Sequence, residues 1–555
     1  MTLISINCTN IGKPCQVEAG QDLSQIAVQL GVHTQFPILC ASVNNRYVGL
    51  TYRVYQPTQI TFLDLATPEG RRVYIRSLTL LLKAALEEVL PQVGLHVLHA
   101  VSKGFYCVFS KDNTLYRPTE DDVERIKKCM KSLCEKSLPI IRTSVLNDDA
   151  VQNIARAQSA ADLLRQHGDI YTQIYSIAGH SIVMYEDLAS NTSVLSLFDL
   201  IKYFDGVLLL PPSESDPSRL PEVVNQDKMF ATFVEADKWQ HLLHARSIET
   251  LNKAIEMGFG TQVIHVTEAL HEKKIADIAD MITARRNKVR VVLIAGPSSS
   301  GKTTFSKRLA VQLVVNGIQP VNLSIDNYFV DRDKTPRDAN GKYDFDALEA
   351  IDVKFFNEQL LALMDGQTID IPKYSFTQGK RYYDGEKLTL PSNALLIIEG
   401  THGLTPQLTP MIPAENKFKI YTAPLAGLNL DELNRITTTD NRLIRRIVRD
   451  YYNRGHNAAA TIEQWPSVRR GEVKFIYANQ EEADVMFNSA LLYELAVLKR
   501  LAEPILLEVK PNSPHFAEAQ RLLNLLSYVC PLSSDSIPPT SLMREFLGGS
   551  SFKYD

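Results

Sequence analysis

One octapeptide constrains this chain more than any other feature. Gly296-Pro-Ser-Ser-Ser-Gly301-Lys302-Thr303 has the spacing G-x-x-x-x-G-K-[ST]. The unbroken apolar run VRVVLIAG precedes it and the amphipathic segment TTFSKRLAVQLVVNG follows it. This order predicts a buried parallel strand, a glycine-pivoted loop and a helix stopped at Gly317. In such a loop the glycines let successive N–H groups curl towards phosphate oxygens, and the helix adds its positive N-terminal end. Lys302 then reaches the terminal phosphates and the Thr303 hydroxyl is a Mg²⁺ ligand.

Further short apolar strands follow in PVNLSID, ALLIIEG, FKIYTA and PILLEV, with helical segments between them. Strands alternating with helices predict a parallel sheet covered on both faces. Two acids close such strands: Asp326 ends NLSID and Glu399 ends ALLIIEG. Ligands in open α/β sheets sit at the carboxyl ends of strands. One carboxylate there can take the proton of an attacking hydroxyl, and the other can hold Mg²⁺. A third cluster, DNRLIRRIVRDYYNRG, sets Arg442, Arg445, Arg446 and Arg449 on roughly one helical face. It reads as a lid of cations over a transferring phosphoryl group rather than a solvated basic face. The Asn-Lys-x-Asp signature of GTP sites is missing, since Asn287-Lys288-Val289-Arg290 precedes the loop and lacks the Asp. ATP is therefore the expected nucleotide.

The remaining residues set the frame. At about 150 residues per domain, 555 residues imply three or four domains. Hydrophobic residues at 45% supply enough core to exclude a disordered chain. Seven cysteines without CxxC spacing exclude a disulfide scaffold or a zinc ribbon. A net charge of −4 excludes wholesale coating of nucleic acid. The N-terminus has no signal-peptide pattern, and no apolar run reaches about 18 residues, so no membrane span is expected and the cytoplasm is the expected location. Upstream of residue 285 the pattern is mixed: LISINC and KPCQVEAG form a hairpin, AGQDLSQIAVQLG a short helix, and Asn44-Asn45 a turn.

In the order GPSSSGKTT, SIDNYF, YDFDALEAID, PKYSFTQGKR, LLIIEG and DNRLIRRIVRDYYNRG, residues 285 to 510 resemble the uridine kinase and phosphoribulokinase family. The resemblance implies a catalytic group of Asp326, Lys302, Glu399, Arg442 and Arg446. It implies ATP held by Gly296, Ser298, Ser299, Ser300, Gly301, Lys302, Thr303, Thr304 and Arg449, with Mg²⁺ on Thr303, Glu399 and Asp326. On the acceptor side it implies Phe345 and Asp346 at ribose, Tyr374 and Phe376 flanking a base, and Arg381 and Arg454 beside them. Two positions depart from the pattern. Phe329 stands where a tyrosine is usual, and Gln378-Gly379 stand where a base-contacting histidine is usual.

The first half has its own resemblance. ILCASVNNRYVGLTYRV with ITFLDLATPEGRRVY is similar to the TGS domain of threonyl-tRNA synthetases, and RSLTLLLKAALEEVL with GFYCVF to the editing-type domain that follows it. The metal ligands of that domain correspond here to Arg76, Leu80, Ser176 and His180, so only the histidine remains. The expected fold is thus multidomain α+β and α/β: a TGS β-grasp unit over 1–65, a synthetase-like α+β unit over 66–225 and a helical connector over 226–284. A P-loop NTPase unit with a parallel sheet then fills 285–555. The expected function is ATP-dependent phosphorylation of a small-molecule hydroxyl, foremost the 5′-hydroxyl of uridine or cytidine, with another sugar or polyol as the alternative acceptor. A different class of reading makes the first half an RNA- or ribosome-binding module with an ATP-driven switch; its only basic cluster is Arg71, Arg72 and Arg76. The sequence leaves open whether the chain forms an oligomer.

Overall fold

The computed structural model describes residues 2–153, 158–337, 341, 343–345, 347–375, 378–425 and 427–554. Its C-terminal sheet has five strands in the spatial order Gln319–Ser324, Ala394–Glu399, Val291–Ala295, Lys417–Ala423 and Val485–Asn488. All four pairings are parallel. The alternation of side chains along the central strand explains why both faces are covered. Val292 and Ile294 enter the cluster that includes Phe305, Leu309, Ile420 and Ile447. Val291 and Leu293 enter the opposite cluster with Leu396, Ile398, Tyr328 and Phe356.

One sequence expectation fails here. PILLEV does not form a strand: it closes the helix Glu494–Leu507, which carries Pro504 inside it. A short apolar run does not by periodicity separate a buried strand from a buried helical segment. The fifth strand is instead Val485–Asn488, whose four residues are too few to show a pattern.

The first residues build a five-stranded sheet ordered Lys13–Glu18, Leu3–Cys8, Thr58–Asp64, Ile38–Val43 and Arg46–Gly49. Asn44 and Asn45 both take positive φ, 47° and 59°, as a two-residue hairpin turn requires. Asp22 and Gln25 form a capping box on the helix Leu23–Gln29. Next comes the long helix Pro68–Val89, capped by Thr67. A sheet containing Asp199–Tyr203, Gly206–Leu210, Gly104–Lys111 and Gly94–Val101 lies nearby, with a smaller sheet of Ile141–Leu146, Tyr171–Ile177 and His180–Val183. Helices Asp227–Leu242, Ile248–Glu256 and Gly260–Ala284 lead to the phosphate-loop strand.

The N-terminal half packs on the C-terminal sheet through shared core. Tyr106, Leu208 and Leu210 cluster with Ala295, Tyr421 and Met486. A chain of ion pairs reinforces the contact: Arg72 to Glu518 at 2.8 Å, Glu518 to Arg521 at 2.7 Å, and Arg521 to Asp440 at 2.5 Å. Arg71 donates to the Pro212 carbonyl at 2.6 Å, and Arg76 binds Glu69 at 2.9 Å as well as Glu186. The small basic cluster seen in the sequence is therefore spent on internal partners. Among the described residues, no helix is long and apolar enough to cross a membrane.

The two arginines hold the Glu518 carboxyl at about 2, against an ordinary 4.5, although burial alone would raise it. A depressed folded pKa stabilises the fold above the unfolded value, and that contribution disappears as pH falls from about 4.5 towards about 2. Glu518→Gln leaves Arg72 and Arg521 short of one partner and is expected to cost about 3–5 kcal/mol at neutral pH. Denaturant titrations at pH 7 and pH 3 check both statements: the gap between variant and wild type narrows at the lower pH.

Candidate active site

The loop after Ala295 curls because two residues take left-handed backbone, Ser299 at φ 59° and Gly301 at φ 82°. Gly296 is needed for a different reason: a Cβ there would lie 1.9 Å from the Thr422 carbonyl oxygen on the neighbouring strand. The helix Lys302–Val315 starts at Gly301 with no side-chain cap, leaving its first amides for a ligand. Ser299 and Ser300 are buried, and among the described residues neither hydroxyl has a protein partner. This is a cluster of donors of the kind that receives an anion.

Sheet register sets the acids beside it. Glu399 pairs in register with Ile294 on one side and Ser324 on the other, and Asp326 follows two residues after Ser324 in the turn Ile325–Tyr328. The structure thus brings the phosphate loop, Asp326 and Glu399 together at the carboxyl end of the sheet. Thr303 Oγ1 donates to Glu399 Oε1 at 3.4 Å, and Lys302 Nζ donates to the Pro297 carbonyl at 3.2 Å. Burial and the Asp326 charge push the Glu399 carboxyl up to about 7, against the pull of Lys302. Burial also raises Asp326, opposed by Lys302, Arg454 and Arg449. The residue is nonetheless exposed to solvent. Burial draws the Lys302 ammonium below its usual range, opposed by Glu399, Asp326 and Glu545.

The hydroxyl of Thr303 facing the carboxylate of Glu399 is a hard-oxygen pair that suits Mg²⁺, and a divalent cation would relieve the mutual repulsion of Glu399 and Asp326. Among the described residues no group of three or more His, Cys, Asp or Glu could hold a metal.

The arginines differ from the lid expected of them. Arg442 is 1% exposed and Arg445 0%. Arg442 pairs with buried Glu472, donates from Nε to the Ser298 carbonyl at 2.9 Å, and stacks on Trp465. Arg445 pairs with buried Glu494 and donates to the Ser489 carbonyl at 2.8 Å. Arg446 donates to Ser298 Oγ at 2.9 Å and to Asp450 at 3.1 Å. Of these arginines, Arg449 and Arg454, both near Asp450, are the ones that act on the Asp326 charge among the described residues. The apolar neighbours of this helix pull its first turns into the core, so its arginines need buried carboxylates that a helical wheel does not reveal.

On the acceptor side, Phe329 and Tyr374 pack with centroids 5.5 Å apart, and Phe345 lies 6.4 Å from Phe329. Asp346 and Phe376 lie outside the described residues. Arg381 is not free to meet a substrate. Its guanidinium binds Asp352 at 3.2 Å and the Tyr328 and Phe329 carbonyls at 3.2 Å each, over the Phe355 ring. It braces the turn that carries Asp326. Gly379 cannot be replaced by a larger residue, since a Cβ would lie 2.7 Å from Arg332 Nε.

Sequence reasoning passed over Glu472, Glu494, Glu545 and Tyr554. Thr304 Oγ1 donates to Glu545 at 2.8 Å and lies 2.9 Å from the Tyr554 hydroxyl. None of these sits in a string of fixed spacing, so only the folded chain places them.

Residues 291–492 match the Phosphoribulokinase / Uridine kinase family. A uridine kinase of Ligilactobacillus salivarius is 30% identical over 203 residues, which cover 86% of that protein and 36% of this chain. This chain belongs to that family. A uridine kinase of Borrelia duttonii is also 30% identical, over 219 residues, covering 93% of it and 38% of this chain. One from Deinococcus deserti is 29% identical over 197 residues, covering 86% of it and 35% of this chain. Membership in this kinase family supports a phosphotransferase and implies ATP and Mg²⁺. The matched relatives account for little more than a third of this chain.

Proposed function

We infer that this chain transfers the γ-phosphoryl group of ATP to the 5′-hydroxyl of a ribonucleoside of the uridine or cytidine type. The observation that carries the reading is convergence: the phosphate loop, the Thr303–Glu399 pair and Asp326 share the carboxyl end of the sheet beside the aromatic group Phe329, Tyr374 and Phe345. A planar base favours aromatic faces, which is why a nucleoside is preferred to a simple sugar or polyol.

The geometry supports the following roles. The loop amides and Lys302 hold the triphosphate. Mg²⁺, when bound at Thr303 and Glu399, supplies charge neutralisation across the β- and γ-phosphates. Asp326 orients the acceptor hydroxyl and takes its proton as the new O–P bond forms and the bond to the β-phosphate oxygen breaks. Arg449 and Arg454 add positive charge on the open side. Arg442 and Arg446 act through the loop rather than on the phosphate, and Arg381 acts through the Asp326 turn. Thr304 is the loop's boundary with the C-terminal segment.

The arrangement of the first half supports a TGS-like unit over 1–65 and a synthetase-like unit over 66–225, with a helical connector over 226–284 before the kinase unit over 285–555. Each is part of this proposal.

The test is ADP release measured by a coupled assay across nucleosides, sugars and polyols. Uridine or cytidine should stimulate release well above the rate in water, and sugars should not. No stimulation by any nucleoside sinks the nucleoside reading. Because Gln378-Gly379 stand where a base-reading histidine is usual, discrimination between uridine and cytidine should be weak, within about tenfold in kcat/KM. A ratio above a hundred would show that another residue reads the base.

A further inference from the structure

A buried polar network grips one residue of the phosphate loop, Ser298. All three polar atoms of Ser298 are held. Its N–H donates to Glu472 Oε1 at 3.1 Å, its carbonyl accepts from Arg442 Nε at 2.9 Å, and its hydroxyl accepts from Arg446 Nη1 at 2.9 Å.

Glu472 stands at the centre of this grip. It is 1% exposed and opens the π-turn Glu472–Ile476 directly after the helix Ala458–Gly471. A π-turn widens the helix by one residue, a local cost that recurs where a side chain must be aimed. Both carboxylate oxygens are used. Oε1 takes the Ser298 amide and the Arg442 guanidinium. Oε2 takes Arg469 at 3.1 Å and the Tyr477 hydroxyl at 3.2 Å, and Arg469 also donates to that hydroxyl at 2.7 Å.

We propose that Glu472 is a positioning residue of the nucleotide site: it fixes Ser298, and so the curl that aims the amides of Ser299 to Thr303 at the phosphates. The proposal rests on the phosphate-loop reading of this site. Ser298 immediately precedes Ser299, whose left-handed backbone turns the chain. A loop held on three sides at the residue before that turn enters the bound state without paying to order it. The carboxylate also fixes Arg442, whose Nε holds the Ser298 carbonyl, so one anion controls both backbone groups of Ser298.

Glu472→Asp keeps the charge but shortens the reach by one methylene; Glu472→Gln keeps the reach and removes the charge. Three readouts on the full-length protein separate positioning from mere stability: hydrogen exchange of the Ser298 amide without nucleotide, ATP affinity by calorimetry without acceptor, and the KM-against-kcat split. A lost hydrogen bond to a charged group corresponds to about tenfold or more. Amide exchange should accelerate by at least that factor in Glu472→Asp. ATP affinity should weaken by about tenfold in both variants. The KM for ATP should rise with it, while kcat and the acceptor KM stay within about threefold. If both variants bind ATP as wild type does and merely melt earlier, Glu472 is structural and the proposal fails. If they bind ATP more tightly, Glu472 is a competitor of phosphate and the proposal fails in the other direction. If wild type itself binds no ATP, the phosphate-loop reading falls; wild-type ATP binding with unchanged variants defeats the proposal alone.

Discussion

Asp326→Asn is expected to lower phosphoryl transfer by about 10²–10⁴-fold while leaving ATP affinity unchanged. Asp326 is exposed where Glu399 is only partly so, and it sits at the carboxyl end of the sheet two residues beyond Ser324. Asparagine has almost the same shape, keeps a hydrogen-bond acceptor for the hydroxyl and cannot take its proton. Because the side chain is exposed and holds no structural partner through its carboxylate among the described hydrogen bonds, the fold should survive the change. Single-turnover transfer measured beside equilibrium ATP binding checks this. Equal turnover in the variant would remove Asp326 from its role and leave Glu399 as the remaining carboxylate of the pair. A parallel fall in ATP binding would recast Asp326 as part of the nucleotide site.

The second large effect is on stability. Arg445→Ala removes a cation that is 0% exposed and leaves Glu494, itself 2% exposed, with Asn441 as its one remaining side-chain donor among the described residues. Breaking a buried pair from one side costs about 3–5 kcal/mol, because the orphaned charge cannot regain water. The same substitution releases the Ser489 carbonyl and the ring contact with Phe546, so the loop after Val485–Asn488 and the C-terminal segment lose a shared anchor. Denaturant unfolding of the variant should show the kinase unit melting first, as a separate transition from the N-terminal half. A loss below about 1 kcal/mol would mean that Arg445 reaches solvent and belongs to a mobile lid after all.

These two residues also mark how far the sequence could be read. Asp326 and Glu399 were legible because each closes an apolar strand, and parallel sheets place such ends together. The phosphate loop was legible because its glycines answer backbone demands that no other residue meets, as the Gly296 contact with Thr422 shows. The arginine helix was legible as a helix but not in its role. Which face is buried depended on Glu472 and Glu494, acids 30 and 49 residues away from their partners in sequence. Arg381 misled for a similar reason. Its place in a family string said nothing of Asp352 and the Tyr328 carbonyl, which occupy it. The strand expected at PILLEV failed because so short and mostly apolar a run carries no period. The N-terminal half showed its elements but not its packing on the C-terminal sheet, since Tyr106, Leu208 and Leu210 look like ordinary strand residues until Ala295 and Met486 meet them.

That packing bears on why a kinase unit should carry so long an N-terminal half. Arg72 on the long helix Pro68–Val89 joins Glu518, Arg521 and then Asp440, in the first turn of the helix whose arginines hold Ser298. The ion pairs run from the first half to the first turn of that helix, so Glu518→Gln reads the strength of this link as well as the stability of the interface.

The central claim is that phosphate leaves ATP and arrives on a nucleoside hydroxyl. ³¹P NMR of the full-length protein with ATP, Mg²⁺ and uridine or cytidine reads this directly. The predicted result is a nucleoside 5′-monophosphate resonance growing in step with ADP, lost in Asp326→Asn. Inorganic phosphate growing in step with ADP, with no phosphomonoester on the nucleoside, would contradict the account.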